Sequence, residues 1–320
     1  MRTPLVLLLW VLASFSSAHA EAVRLASKQR ALLPIVISPQ ASASTKATAT
    51  ELARYLGRIG GAEFQVETGD GSRGIVLGTP TEYSALPFSA AFEPGAFARE
   101  DYVIRSLPHG LFLVGASELA VSHAAWDLLH RLGYRQFFPG ETWEVIPETP
   151  ELAIDVDTRE RPSFHARRIW YNWGMWGYNE EPYREWCVRN RAVQGFKLNS
   201  GHAYESIIAA NRSVFEKHPE YLAQLGGERK LRPDVKFCIS NPALRKLVVQ
   251  WAEAQFRAKP DLDSISMDPS DGGGWCECGD CAKLGNVSDR VITLANDVAA
   301  AINTLGLGPK YVGLYAYNQH

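Results

Sequence analysis

Asp268 and Asp271 form the only close carboxylate pair at the end of a strand-like run, Ser264-Ile265-Ser266-Met267-Asp268. Paired carboxylates suit glycoside cleavage: one protonates the leaving oxygen, while the other attacks, activates water or orients a substrate group. Their setting, Asp268-Pro269-Ser270-Asp271-Gly272-Gly273-Gly274-Trp275, is equally that of a turn, which Asp and Gly favour. Three other stretches have the same polar-aromatic character. They are Tyr171-Asn172-Trp173-Gly174-Met175-Trp176, Asn199-Ser200-Gly201-His202-Ala203-Tyr204 and Tyr317-Asn318-Gln319-His320. Trp and Tyr stack on the C–H faces of sugar rings, and Asn, His and Asp bond hydroxyls. Tyr171, Asn172, Trp173, His202, Tyr204, Trp275, Tyr317 and Asn318 are therefore the candidate carbohydrate-binding residues, with Asp268 and Asp271 the candidate catalytic ones.

The cysteines make a second constellation. Of five, Cys276, Cys278 and Cys281 fall within six residues, directly after the Asp271–Trp275 loop, and Cys238 precedes a helix that leads to the same strand. Four thiolates suit a closed tetrahedral zinc site. The spacing C-x-C-x2-C is not the paired C-x2-C pattern, and an exported chain permits oxidation. Two disulfides among these four cysteines, leaving Cys187 free, are the preferred expectation, and structural zinc the alternative. Either staples the loop carrying Asp271 and Trp275. No other cofactor is required.

Residues at strand ends need a frame that brings those ends together. Residues 21–152 read as a small α/β domain. Ile35-Val36-Ile37, Phe64-Gln65-Val66 and Gly74-Ile75-Val76-Leu77-Gly78 read as strands, and a helix with Leu52, Leu56 and Ile59 on one face stops at Gly60-Gly61. A hairpin joins Tyr102-Val103-Ile104 to Leu111-Phe112-Leu113-Val114, and Ser117 caps a helix ending at Gly133. Beyond the turn-rich Pro147-Glu148-Thr149-Pro150, strands alternate with helices from residue 163 onward. The predicted strands are 169–172, 196–199, 264–268 and 311–317. The helices run from Glu185 to Val193, from Asn241-Pro242, and from a Ser288 cap. Such alternation implies a parallel sheet. A (β/α)8 TIM-type barrel takes about 250 residues, whereas 163–320 holds four βα units. The expected fold class is α/β: a small N-terminal α/β domain, then the N-terminal half of an incomplete barrel.

The first 20 residues read as a signal peptide. Arg2 gives the positive start, Leu5 to Leu12 the apolar run, and Ala18-His19-Ala20 the cleavage site. The run is too short to span a membrane, so the mature chain is expected to start near Glu21 and work in the periplasm or outside the cell. Over 320 residues, 46% hydrophobic and 21% charged content is that of a globular chain. Thirty-three basic residues against 35 acidic ones give no support to nucleic-acid binding. Trp, at nine residues, is unusually frequent.

These residues resemble known families. Leu132-Gly133-Tyr134-Arg135-Gln136-Phe137-Phe138-Pro139-Gly140 and Trp143-Glu144-Val145-Ile146-Pro147 resemble the non-catalytic α/β domain that precedes the barrels of family 20 hexosaminidases and α-glucuronidases. The second part is similar to the family labelled domain of unknown function 4838. The matching stretches are Gly201-His202, His218-Pro219-Glu220-Tyr221, Cys238 to Pro242, Asp271-Gly272, Trp275-Cys276-Glu277-Cys278 with Cys281, and Tyr315-Ala316-Tyr317. Part of that family is classed as glycoside hydrolase family 163, endo-β-N-acetylglucosaminidases acting on N-glycans. The resemblance implies a carbohydrate-active barrel and, for hexosaminidase-like relatives, retention assisted by the substrate's acetamide. One carboxylate then orients the acetamide while another acts as general acid. Family 20 enzymes carry an adjacent acid pair after the fourth strand, where this chain has Asn318-Gln319-His320. The general acid is therefore expected beyond residue 320.

Overall fold

The computed structural model describes residues 22–167, 169, 177–232, 234–317 and 319–320. The leader over 1–20 and the candidate residues Tyr171, Asn172, Trp173 and Asn318 lie outside the described residues. The chain divides into two compact units at Val193 and Gln194. The described residues of 163–193, expected with the second domain, thus cluster with the first.

The first unit runs in order β1 (Val23–Ser27), β2 (Arg30–Ala31), β3 (Ile35–Ile37), α1 (Ala43–Gly60), β4 (Val66–Thr68), β5 (Gly74–Gly78), β6 (Tyr102–Leu107), β7 (Gly110–Gly115), α2 (Glu118–Arg131), β8 (Arg135–Gln136), β9 (Glu144–Val145), β10 (Leu152–Ile154), β11 (Asp157–Glu160) and α3 (Glu180–Arg189). Its main sheet has the order β11-β6-β7-β5-β3-β4. Alternation sorts the side chains by face. Ile35, Ile37, Ile75, Leu77, Leu111 and Leu113 join the core formed with α1 and α2, whereas Val36, Val76, Phe112 and Val114 pack with Tyr83 and Ala90. Ser42 and Ser117 cap the two helices by accepting backbone N–H groups, and Gly61 closes α1 at φ +64°, where a side chain would be strained. Inside this unit Glu144 accepts from the Tyr55 and Tyr134 hydroxyls and from Arg189, at 2.5, 2.8 and 3.1 Å. The carboxylate ties α1, the β8–β9 hairpin and α3 together. Helix α3 starts five residues earlier than expected and stops at Arg189, because Arg191 takes a positive φ of 55°.

The second unit continues with α4 (Tyr204–Ala210), α5 (Arg212–Lys217), α6 (Pro242–Ala258), β12 (Ser264–Ser266), α7 (Gly279–Lys283), α8 (Val287–Ile302) and β13 (Tyr311–Gly313). Strands β12 and β13 pair in parallel, Ile265 opposite Val312, with α6 and α8 packed against each other. Asn241 caps α6 and Pro242 occupies its first turn, as expected. Helix α8 is capped by Asn286, not Ser288, since Asn286 and Asp289 bond each other's backbone N–H. Its Val291, Leu294, Ala295, Val298 and Ile302 are buried along one face.

Residues 196–199 are not a strand. In place of a ladder, Lys197 N donates to Asp263 Oδ2 at 2.9 Å and Asn199 N to Ser264 Oγ at 2.6 Å, while Leu198 N donates to the Phe196 carbonyl at 3.0 Å. Further along, His202 forms a parallel bridge with Asp268. The chain is thus a mixed α/β protein, and β12 and β13 are the parallel-paired strands among the described residues of the second unit. No helix among the described residues is long and apolar enough to cross a membrane.

Candidate functional site

The segments at the ends of β12 and β13 in the second unit carry Asp268, Asp271, Trp275 and Tyr317, and His202 bridges to Asp268. Asp268, at the end of β12, is wholly buried. Its Oδ2 accepts from Gly201 N–H at 2.6 Å and its Oδ1 from Tyr315 N–H at 2.5 Å. The Ser266 hydroxyl is 3.2 Å from Oδ2, but its single hydrogen is better placed toward the Gly201 carbonyl at 2.6 Å. Each carboxylate oxygen thus holds a backbone N–H from a neighbouring segment, in charge-assisted bonds. Asp268, expected as a catalytic carboxylate, occupies the place of a positioning residue.

Asp271 is different. Its side chain is exposed, and Oδ1 accepts the N–H of its neighbour Gly272 at 2.9 Å. Its backbone carbonyl is held at 2.7 Å by Nζ of Lys236, a fully buried side chain. Burial lowers the Lys236 pKa, against the pull of Asp234, Asp271 and Glu205. Over the Lys236 ammonium, 5.6 Å away, lies the Trp275 ring, which meets the His320 ring at 5.7 Å on its other contact. The Trp275 indole N–H is buried with no partner among the described residues.

His202 is exposed, with Nδ1 2.6 Å from the Pro269 carbonyl. A carbonyl can only accept, so Nδ1 carries the hydrogen and Nε2 of the neutral ring is an acceptor. A cleft of ≈ 340 Å³ opens beside it, lined among others by Asn199, Trp251, Gln255 and Ser266. Tyr317 is half exposed. The His320 ring, whose pKa is lowered by burial, lies 5.7 Å from the Trp275 ring and 6.3 Å from the Tyr317 ring.

Tyr204 does not belong to that face. It is fully buried and stacks on Phe237 with centroids 4.0 Å apart. It opens α4 with Ile207 and Ile208 three and four residues on, the spacing of a core-facing stripe, and burial with the nearby Asp268 charge pushes its phenol pKa up. Lys236, Glu205, Tyr315 and His320 were not among the expected site residues. Lys236 carried a readable signal as a charge between the apolar Val235 and Phe237, and His320 and Tyr315 lie in stretches already singled out, Tyr317–His320 and Tyr315–Tyr317.

All five cysteines are free thiols, so the expected disulfides are not formed. Cys238, Cys276, Cys278 and Cys281 nonetheless converge, their sulfurs lying within 4.8 Å of one another. The Cys238 sulfur is 3.7 Å from that of Cys278 and 3.8 Å from that of Cys281, far outside the ~2.05 Å of a bonded pair.

The sequence pattern of one protein family, described as "Domain of unknown function (DUF4838)", matches residues 138–320. The chain belongs to the DUF4838 family. That match takes in the Asp271–Trp275 loop, Lys236, His202 and the four converging thiols. No curated protein matches the chain. Among solved structures, this DUF4838 protein is similar to the GH20 β-N-acetylhexosaminidase of Streptomyces coelicolor, at 14% identity over 93% of this chain and 65% of that one, TM-score 0.41. It is also similar to the β-N-acetylhexosaminidase of Bacteroides fragilis, at 15% identity over 92% and 63%, TM-score 0.37. A third is a family GH115 4-O-methyl-α-glucuronidase with specificity for decorated arabinogalactans, at 14% over 90% and 41%, TM-score 0.43. The DUF4838 protein spans less than two thirds of each of these structures.

Proposed function

We propose that this chain is an exported, glycoside hydrolase-like protein that takes an N-acetylglucosamine-containing glycan on the strand-end face of its second unit. The observation that carries this reading is one face combining an exposed carboxylate (Asp271), an imidazole with an available acceptor (His202) and the aromatic rings of Trp275 and Tyr317. Strand ends of a (β/α)8-type frame are where such groups act. Asp271 orients the acetamide so that its oxygen attacks C1 as the glycosidic oxygen takes a proton from a second carboxylic acid, giving retention after water enters. Asp268 holds the loop and does not touch the sugar.

A second reading, glycan binding without hydrolysis, is favoured by the commitment of Asp268 to backbone bonds, which takes one carboxylate of the pair out of the chemistry. Turnover and binding of a chitobiose-core glycan separate the two. Hydrolysis predicts that Asp271→Asn lowers kcat by roughly a hundredfold or more with little change in binding. Equal loss of both assigns Asp271 to binding. Trp275→Ala is expected to weaken binding about tenfold, equivalent to ~1.4 kcal/mol. A folded protein that binds no such glycan overturns both readings. Export is checked by the mass of protein recovered outside the cytoplasm, expected to begin at Glu21.

A further inference from the structure

We propose that Cys238, Cys276, Cys278 and Cys281 bind one zinc ion in a closed tetrahedral site that anchors the loop carrying Asp271 and Trp275. The first test is metric. Zinc–thiolate bonds of about 2.3 Å in a tetrahedron set sulfur–sulfur edges of about 3.8 Å. The Cys238 sulfur stands 3.7 and 3.8 Å from those of Cys278 and Cys281. Thiols packing only as small apolar groups have no reason to meet four at a time.

The surroundings fit thiolates. Gln224 N–H points at the Cys276 sulfur at 3.3 Å and Cys281 N–H at the Cys278 sulfur at 3.4 Å. Ser240 Oγ lies 3.4 Å from the sulfur of Cys238 and 3.2 Å from that of Cys281, and Arg229 Nη1 lies 3.9 Å from Cys276. Four thiolates around Zn2+ carry two net negative charges, which these donors and the guanidinium offset. Three of the sulfurs belong to buried residues and Cys278 is half-buried, so the donor set is complete without water and the role is structural. A tetrahedral four-sulfur set favours zinc or iron over harder cations.

The ion would tie two distant segments. Cys238 stands just before α6, while Cys276 ends the loop that follows β12 and passes through Asp268. With β12 at one end and the metal at the other, the Pro269–Trp275 loop is held at both ends. This site does not depend on what the strand-end face binds.

Full-length protein purified without chelator is expected to hold one zinc per chain by elemental analysis. Its zinc X-ray absorption is expected to show four sulfurs at about 2.3 Å. Cys187→Ser, outside the cluster, keeps the full zinc content, and Cys278→Ser loses it or holds it at least tenfold more weakly. If Cys278→Ser does not fold, the absorption spectrum of the unaltered protein decides. Folded chain without metal, with the four sulfurs in two disulfides, overturns the proposal, as does bound iron or a ligand shell containing nitrogen or oxygen.

Discussion

Lys236 donates from Nζ to the backbone carbonyl of Asp271 across 2.7 Å, from a side chain with no exposed surface. A buried ammonium is costly unless its donors are used; here one is used on the main chain of the loop that presents Asp271 and Trp275, and another on the Asp234 carbonyl at 3.3 Å. The lysine therefore shapes the candidate site from beneath.

Lys236→Met keeps most of the stem and removes the donor. Amide exchange in the Pro269–Trp275 loop is expected to speed up about tenfold or more, since a hydrogen bond to a charged group contributes roughly 1.5–3 kcal/mol. Exchange in α1 and α2 should not change. Unaltered exchange in the loop would mean that the lysine is not its support.

Asp268→Asn is nearly isosteric, yet it turns one acceptor oxygen into an NH2 facing a backbone N–H. The expected loss in urea unfolding is about 3 kcal/mol, the order found when a buried charged partner is removed. Loss of glycan turnover with full stability would instead place Asp268 in the chemistry.

His123 supplies a pH dependence. Burial, with Arg167 and Arg191 nearby, lowers its pKa from 6.5 to about 3. The Glu100 carboxylate it approaches at 3.4 Å is already paired with Arg167. Below pH 6.5 the unfolded chain takes up a proton that the folded chain refuses, so stability is full above that pH and declines as pH falls toward 3. By pH 5 the loss is expected to reach about 2 kcal/mol. Denaturant unfolding at pH 7.5 and 5 measures it, and His123→Gln should flatten the difference.

Gly313 faces the carbonyl of Asn199 so closely that a Cβ would stand 2.2 Å from the oxygen. Gly313→Ala is expected to cost about 2 kcal/mol or more, typical of overpacking. A neutral result would show that residues 196–199 do not lie against β13.

Capped helices were the most legible part of the sequence. Ser117 and Asn241-Pro242 announce α2 and α6 because a cap is a local device, readable from neighbours in the chain. Residues 196–199 were not legible as irregular, since their apolar alternation is strand-like while their bonds go to Asp263 and Ser264, more than 60 residues on. Nor could spacing separate Asp268 from Asp271. One is buried and the other exposed because of where Gly201 and Tyr315 come to rest. The pattern did hold the answer for Tyr204, whose partners Ile207 and Ile208 mark a core stripe. It held it in part for the cysteines, which converge as their spacing suggested.

The carboxylate of Asp268 also bears on how the second unit forms. Its two main-chain donors are 67 residues before it and 47 residues after it in sequence. Until both arrive, the carboxylate keeps its water, and burying it early would cost more than the strand contacts return. The unit's strand ends close together late, through contacts of high sequence separation, which makes for slow and cooperative folding.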